Sequence, residues 1–173
     1  GTIALEILEK IEDIEHIIVP IGGGRLISGI AIAAKAINPN IKITGVVASG
    51  ARGMKDSFEA RMPIDSASVK TIADGIAVRD VTPKLLDIIL EYVDEIVEVT
   101  DNETANAILF LLEKHKLMVE GAGAVATAAI MHGKVDIENS KVCAIVSGGN
   151  IDVTMLSLII EKGLVKSNRK MNL

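Results

Sequence analysis

Tryptophan is missing from this chain, and one tyrosine and two phenylalanines bring the aromatic share to only 2%. A core built from it is aliphatic, drawn from Ile, Val, Leu and Ala within a hydrophobic fraction of 49%. Such a composition suits a parallel sheet covered by helices on both faces. Cysteine is nearly as scarce: Cys143 is the single one, so no intrachain disulfide can form. That fits a reducing compartment, and the cytoplasm is expected. Cys143 sits in the apolar run Val142-Cys143-Ala144-Ile145-Val146, where a buried strand thiol is expected rather than a nucleophile. Basic clusters are missing as well. The formal charge is -5 with Lys and Arg scattered, which leaves no electrostatic footprint for nucleic acid or an anionic membrane surface. No apolar stretch reaches the length of a membrane span, and no basic segment with a cleavable apolar stretch opens the chain. A soluble protein is expected.

What the chain does have is glycine in one telling place, Val19-Pro20-Ile21-Gly22-Gly23-Gly24-Arg25-Leu26-Ile27-Ser28-Gly29. The β-branched run His16-Ile17-Ile18-Val19 reads as a buried strand, and an alanine-rich helical pattern follows over residues 26–37. Backbone without Cβ atoms can approach an anion closely, and the free N–H groups of a helix N-terminus point into the same space. A phosphate is the natural ligand, although tight strand-to-helix turns also use glycine for steric reasons alone. The spacing is not G-x-G-x-x-G and no Gly-Lys-Ser/Thr follows, so both common nucleotide loops lose ground.

Taken in order, residues 2–11 read as a short amphipathic helix with Ile3, Ile7 and Ile11 on one face beside Leu8, and Thr2 as its cap. Asn38-Pro39-Asn40 stops the helix after the glycine turn, and a second strand over residues 41–47 completes a parallel βαβ unit. A short helical piece near residues 54–60 precedes an irregular stretch, 63–74, expected over the carboxyl edge of the sheet. Thr82-Pro83 starts a helix, residues 96–99 form a third strand, and Thr100-Asp101-Asn102-Glu103 has capping-box spacing. Glu120-Gly121-Ala122-Gly123-Ala124 opens a helix of small residues, and a fourth strand over 142–146 runs into Ser147-Gly148-Gly149-Asn150. A last helix starts at Asn150 or Asp152 and stops at Lys162-Gly163. The pattern predicts a three-layer, doubly wound α/β domain over residues 1–165, with a polar tail or linker start over 166–173. Ligands of such sheets bind at the carboxyl ends of the strands. The turns at Gly22 and Ser147 share that edge.

Five motifs then carry a family resemblance: the glycine turn, Ile37-Asn38-Pro39, Ala73-Asp74-Gly75-Ile76-Ala77-Val78, Val119-Glu120-Gly121-Ala122-Gly123-Ala124 and Ser147-Gly148-Gly149-Asn150. In this order they resemble the second half of the catalytic region of the threonine dehydratases (threonine ammonia-lyases), fold-type-II pyridoxal-phosphate enzymes. The resemblance implies that Gly22, Gly23 and Gly24, with Arg25 and Leu26 at the following helix start, surround the phosphate of pyridoxal 5'-phosphate. It implies that the Ser147 hydroxyl bonds the pyridine nitrogen, and that Gly75 and Glu120 line the cofactor crevice. The substrate would be a small amino acid, threonine and serine, with threonine deaminated to 2-oxobutanoate and ammonia.

Three departures from the family pattern bear on what the chain does. The family's Schiff-base lysine and the loop that grips the substrate carboxylate would precede Gly1, so this chain by itself is expected to be inactive. Arg25 stands where the family has a fourth glycine; its side chain either blocks the phosphate or pairs with it bidentately, and obstruction is expected. Val47 stands where related enzymes carry a glutamate for a cation, and Asp56, Asp65 and Asp74 are too scattered to replace it, so no metal is expected. The alternative to a cofactor-binding portion is an isolated, natural or engineered, noncatalytic α/β scaffold that self-associates. A generic flavodoxin-like phosphate binder ranks last, since no acidic residue is placed for a ribose.

The remaining candidates have plainer readings. His16, His115 and His132 fall at a strand start, a helix end and a loop, without metal or triad spacing. Glu12, Asp13 and Glu15 read as a solvated turn. The small-residue stretches 30–36 and 122–129 are candidate association faces or core, and a homo-oligomer is expected.

Overall fold

The computed structural model describes residues 1–166. Helices and strands alternate as α1 (Thr2–Lys10), β1 (His16–Pro20), α2 (Arg25–Ile37), β2 (Lys42–Ala48), α3 (Gly53–Ala60), α4 (Pro83–Tyr92), β3 (Glu95–Val99), α5 (Asp101–Phe110), α6 (Gly121–Met131), β4 (Val142–Ala144) and α7 (Val153–Lys166). Among the described residues the strands form one parallel sheet in the order β3-β2-β1-β4. Winding proceeds from β1 outward to β3 and then reverses to β4, which puts the topological switch point between β1 and β4.

Alternation of side chains along each strand splits the core in two. Ile17, Val19, Ile43 and Val47 face one way and pack with Ile27 and Ile30 of α2 and Leu86 and Ile89 of α4. Ile18, Val46 and Val99 face the other way, against Ala107 and Ile108 of α5, Val125 of α6 and Ile159 of α7. Each fully buried branched side chain contributes about 1.5–3 kcal/mol, and the result is the expected three-layer arrangement. The stripe of small residues on α6 is core: Ala122, Ala124, Ala126, Ala128 and Ala129 are buried, and only such short side chains let this helix lie close to both the sheet and α5.

Several local expectations need correction. Gly1, not Thr2, occupies the cap of α1, and Ile3 and Ile11 are exposed. The helix buries Ala4 and packs Ile7 and Leu8 inward, because α2 is its main neighbour and covers only a narrow face. On α2 the stretch 30–36 is mixed, with Ile30, Ala31 and Ala34 buried and Ile32 exposed. β4 ends at Ala144, although the Ile145 N–H still donates to the Ile18 carbonyl at 2.9 Å. β4 lies at one end of the strand order, which leaves Cys143 half-buried rather than enclosed; its burial still raises the thiol pKa. α7 continues through Gly163 to Lys166; a glycine inside a helix costs only about 1 kcal/mol and need not end it. Beyond Lys166, the tail expected over 166–173 lies outside the described residues.

Cap positions were read correctly at two other helices, although the Thr82 side chain makes no capping bond. Thr82 precedes Pro83 at the start of α4. The Thr100 hydroxyl accepts the Glu103 N–H at 3.3 Å while the Glu103 carboxylate accepts the Thr100 N–H at 2.7 Å, a complete capping box on α5. The segment 63–73 carries no regular element, and its Lys70 N–H donates to the carbonyl of Gly50, just past the carboxyl end of β2.

Candidate functional site

The carboxyl ends of β1 and β4 feed two turns, and the walls of the site grow from them. After Pro20 and Ile21 the backbone runs through Gly22 and Gly23 to Gly24, whose φ of 89° is the left-handed value that glycine alone adopts freely. A Cβ on Gly24 would also come within 2.8 Å of Ile89 Cδ1. The next residue, Arg25, is the first of α2 and is not among the residues with left-handed backbone. Among the described residues no group accepts the N–H of Gly22, Gly23, Gly24 or Arg25. These four donors lie at the head of α2, where the helix dipole adds positive potential.

The second turn is tied to α6. Past Ile145 the chain reaches Ser147, whose carbonyl lies against Gly123 so closely that any side chain there would collide with it. Glu120, at the cap of α6, donates its N–H to the Gly148 carbonyl at 3.3 Å, and its Oε2 accepts the Asn150 N–H at 3.1 Å. Asp152 then caps α7 by accepting the N–H groups of Thr154 and Met155, bonds that hold its carboxyl below the usual range. A third wall comes from the short 3-10 turn Asp74–Ile76. A side chain on Gly75 would meet Ala122 and the Glu120 carboxylate.

Together these elements enclose a cleft of about 620 Å³, within the range of small-molecule sites. All eight residues singled out in the sequence, Gly22, Gly23, Gly24, Arg25, Leu26, Gly75, Glu120 and Ser147, line it. Neighbours within the same motifs, Pro20, Ile76, Val78, Ala122 and Gly148, line it too, and sequence reasoning missed Arg79, Asp80, Thr82 and Leu85, which complete the lining. Thr82 carried only a capping signal, and Arg79 and Asp80 sit in an irregular loop with no periodicity to place them. The lining therefore includes two arginines, Arg25 and Arg79, and two acidic residues, Asp80 and Glu120, and none of these four forms an ion pair with a described residue.

The other candidates lie elsewhere. His16 is buried in the sheet with Nε2 at 2.7 Å from Thr44 Oγ1, His115 stacks edge-on against Phe110, and His132 caps the end of α6. Asp56 pairs with Arg52, Asp65 accepts the Val81 N–H and Asp74 accepts the Gly75 N–H. Among the described residues no three His, Cys, Asp or Glu side chains gather as metal ligands, and no helix is long and apolar enough to cross a membrane.

The family model described as pyridoxal-phosphate dependent enzyme matches residues 1–148. The chain belongs to that family. It is 47% identical to the L-threonine ammonia-lyase of Thermotoga maritima over 98% of its own length and 42% of that protein's. With the catabolic L-threonine dehydratase of Escherichia coli K12 the identity is 44% over 92% of this chain and 49% of that protein. Among solved structures, maize serine racemase superposes with a TM-score of 0.85 at 38% identity, covering 97% of this chain and 52% of that one. The processed form of threonine deaminase isoform 2 from Solanum lycopersicum gives 0.85 at 34% identity over 93% and 45%. The chain thus spans less than half the length of the curated relatives it matches.

The cleft fits the family's cofactor on its own geometry. A Cβ built on Gly23 meets nothing within 4 Å, so the space above this turn is open, and it is open beside peptide donors that have no acceptor. An anion the size of a phosphate satisfies them.

Proposed function

We propose that the chain is the cofactor-binding portion of a pyridoxal-phosphate-dependent L-threonine dehydratase that also accepts serine and yields 2-oxobutanoate and ammonia from threonine. The observation that carries this reading is the set of unaccepted N–H groups of Gly22, Gly23 and Gly24 in a cleft shared with Ser147. In it the glycine turn and the head of α2 hold the cofactor phosphate. The Ser147 hydroxyl meets the pyridine nitrogen, and Gly75 and Glu120 bound the ring space. Pyridoxal phosphate supplies an electron sink for the α-carbon of a bound amino acid. A hydroxyl partner such as Ser147 would hold the ring nitrogen less strongly protonated than a carboxylate would, so that loss of the β-hydroxyl could compete with other fates of the α-carbon.

In this reading the reactive amine comes from outside this chain, and the chain alone is inactive. Exposed Ile32, Ile37 and Met118 support association into a homo-oligomer. The half-buried single thiol suits the cytoplasm.

Feeding L-threonine and L-serine separately to the whole protein with pyridoxal phosphate tests the reading. Release of 2-oxobutanoate from threonine, with none from this chain alone, is expected. Racemisation of L-serine with no turnover of threonine would replace the dehydratase assignment.

A further inference from the structure

Arg25 is the residue of the cleft that departs from the family's glycine turn, and its backbone bears on what the departure does. A side chain in the glycine turn was expected to obstruct a phosphate by displacing backbone approach. The left-handed position that demands glycine is Gly24, however, and Arg25 begins α2 with ordinary helical backbone. Its own N–H still lacks an acceptor among the described residues, as do those of the three glycines. The turn keeps its donors, and the space above Gly23 stays open.

Three further observations bear on the guanidinium. A cation at a helix N-terminus is disfavoured by the helix dipole, and the first turn of α2 holds no acidic residue to offset it. Arg25 is exposed, lines the cleft and forms no ion pair with a described residue, even though Asp80 and Glu120 line the same cleft. Glu120 is committed through Oε2 to Asn150. A second guanidinium, Arg79, lines the cleft as well. The charged side chains of the lining balance, Arg25 and Arg79 against Asp80 and Glu120, so the surplus is the four N–H groups without an acceptor at the positive end of α2, beside Arg25, and a dianion satisfies it.

Building on the cofactor assignment above, we propose that Arg25 is a phosphate ligand, adding paired side-chain donors to the backbone cradle and making the cleft discriminate the phosphorylated cofactor from the same ring without its phosphate. A guanidinium offers two parallel N–H donors to a phosphate monoester, which a fourth glycine cannot supply. The chain thereby holds its cofactor by charge as well as by backbone geometry, and its affinity falls more steeply with salt than a purely peptide-lined cup would.

The test is calorimetric titration of the whole protein, prepared free of cofactor, with pyridoxal 5'-phosphate and separately with pyridoxal. Arg25→Gly and Arg25→Gln are compared with the parent, and circular dichroism confirms that each is folded. Arg25→Gln keeps a good helix former at the head of α2 while it removes the charge and the paired guanidinium donors. For both variants a roughly tenfold weaker affinity for the phosphorylated ligand is expected, with pyridoxal affected by less than about twofold and a shallower salt dependence. Equal or tighter binding of pyridoxal 5'-phosphate by the variants would overturn the role of Arg25 while leaving the cofactor assignment in place. No saturable binding by parent or variants would overturn the cofactor assignment and the role of Arg25 with it.

Discussion

Glu120 and Asn150 lie thirty residues apart in sequence and are joined by a 3.1 Å hydrogen bond from the Asn150 N–H to Glu120 Oε2. With the Glu120 N–H on the Gly148 carbonyl, the cap of α6 and the turn after β4 become one unit. The position of Ser147 in the cleft depends on that unit. Removing the carboxylate with Glu120→Ala is expected to loosen the turn by about 1 kcal/mol. Amide exchange over residues 147–150 should quicken while the exchange of β1 and β2 is unchanged. Exchange at the parent rate in the variant would separate Glu120 from the ordering of Ser147.

Gly24 controls the opposite wall. At φ 89° a Cβ meets the backbone penalty of left-handed conformation and also approaches Ile89 Cδ1 to 2.8 Å. Gly24→Ala should cost about 1–2 kcal/mol in denaturant unfolding. It should also weaken pyridoxal 5'-phosphate binding by shifting the donors of the turn. Gly23→Ala makes the contrast, since open space surrounds its Cβ. That variant should unfold at nearly the parent midpoint and lose affinity only by occupying the phosphate space, and equal stability losses in the two variants would contradict this division.

Where the sequence carries local rules, the fold was legible. A β-branched run located β1, the stop at Asn38-Pro39-Asn40 located the start of β2, and Thr100 with Glu103 announced a cap that the structure contains in full. Four of the five motifs placed eight residues that the fold brings to one cleft, and the fifth, Ile37-Asn38-Pro39, lies at the far end of α2. The rest depended on what surrounds each element. α1 looked amphipathic through Ile3, Ile7 and Ile11, yet which of these is buried was decided by the narrow footprint of α2. Cys143 is half-buried because β4 ends the strand order, a property of topology that no window around residue 143 contains. Arg79 and Asp80 reach the cleft through an irregular loop, and irregular loops have no period to read.

The capping box on α5 makes a third expectation. Glu103 is partly buried, which by itself would raise its carboxyl pKa, but the bonds from the Thr100 N–H and Lys134 outweigh burial and lower it. Thr100→Ala removes the hydroxyl that accepts the Glu103 N–H and should destabilise the protein by about 1 kcal/mol in urea unfolding. The lowered carboxyl pKa adds a sign. Its contribution is present above the ordinary Glu value of 4.5 and is lost as pH falls below it. Glu103→Gln should therefore differ from the parent at neutral pH and converge with it in acid. A constant gap across that range would remove the charge from the account.

His16 has the opposite chemistry and a different window. It is 2% exposed, its Nε2 lies 2.7 Å from Thr44 Oγ1, and the Thr44 hydroxyl donates to Glu95 at 2.9 Å. Burial, and then the charge of Lys42, lowers the imidazole pKa below 6.5, and the nearby carboxylates of Glu95, Asp94 and Asp136 only partly oppose this. The unfolded chain therefore binds this proton more readily than the folded one. Stability is fully present above the ordinary value of 6.5 and declines as pH falls through and below it. Urea unfolding at about pH 7.5 and about pH 5.5 should show a larger loss for the parent than for His16→Gln, whose side chain can still donate to Thr44 and does not titrate. Because the carboxylates are common to both proteins, their contribution cancels in the difference. An equal loss in the two would mean that His16 accepts its proton in the folded sheet as easily as in the open chain, and that the bond to Thr44 and the Glu95 charge together offset the whole effect of burial.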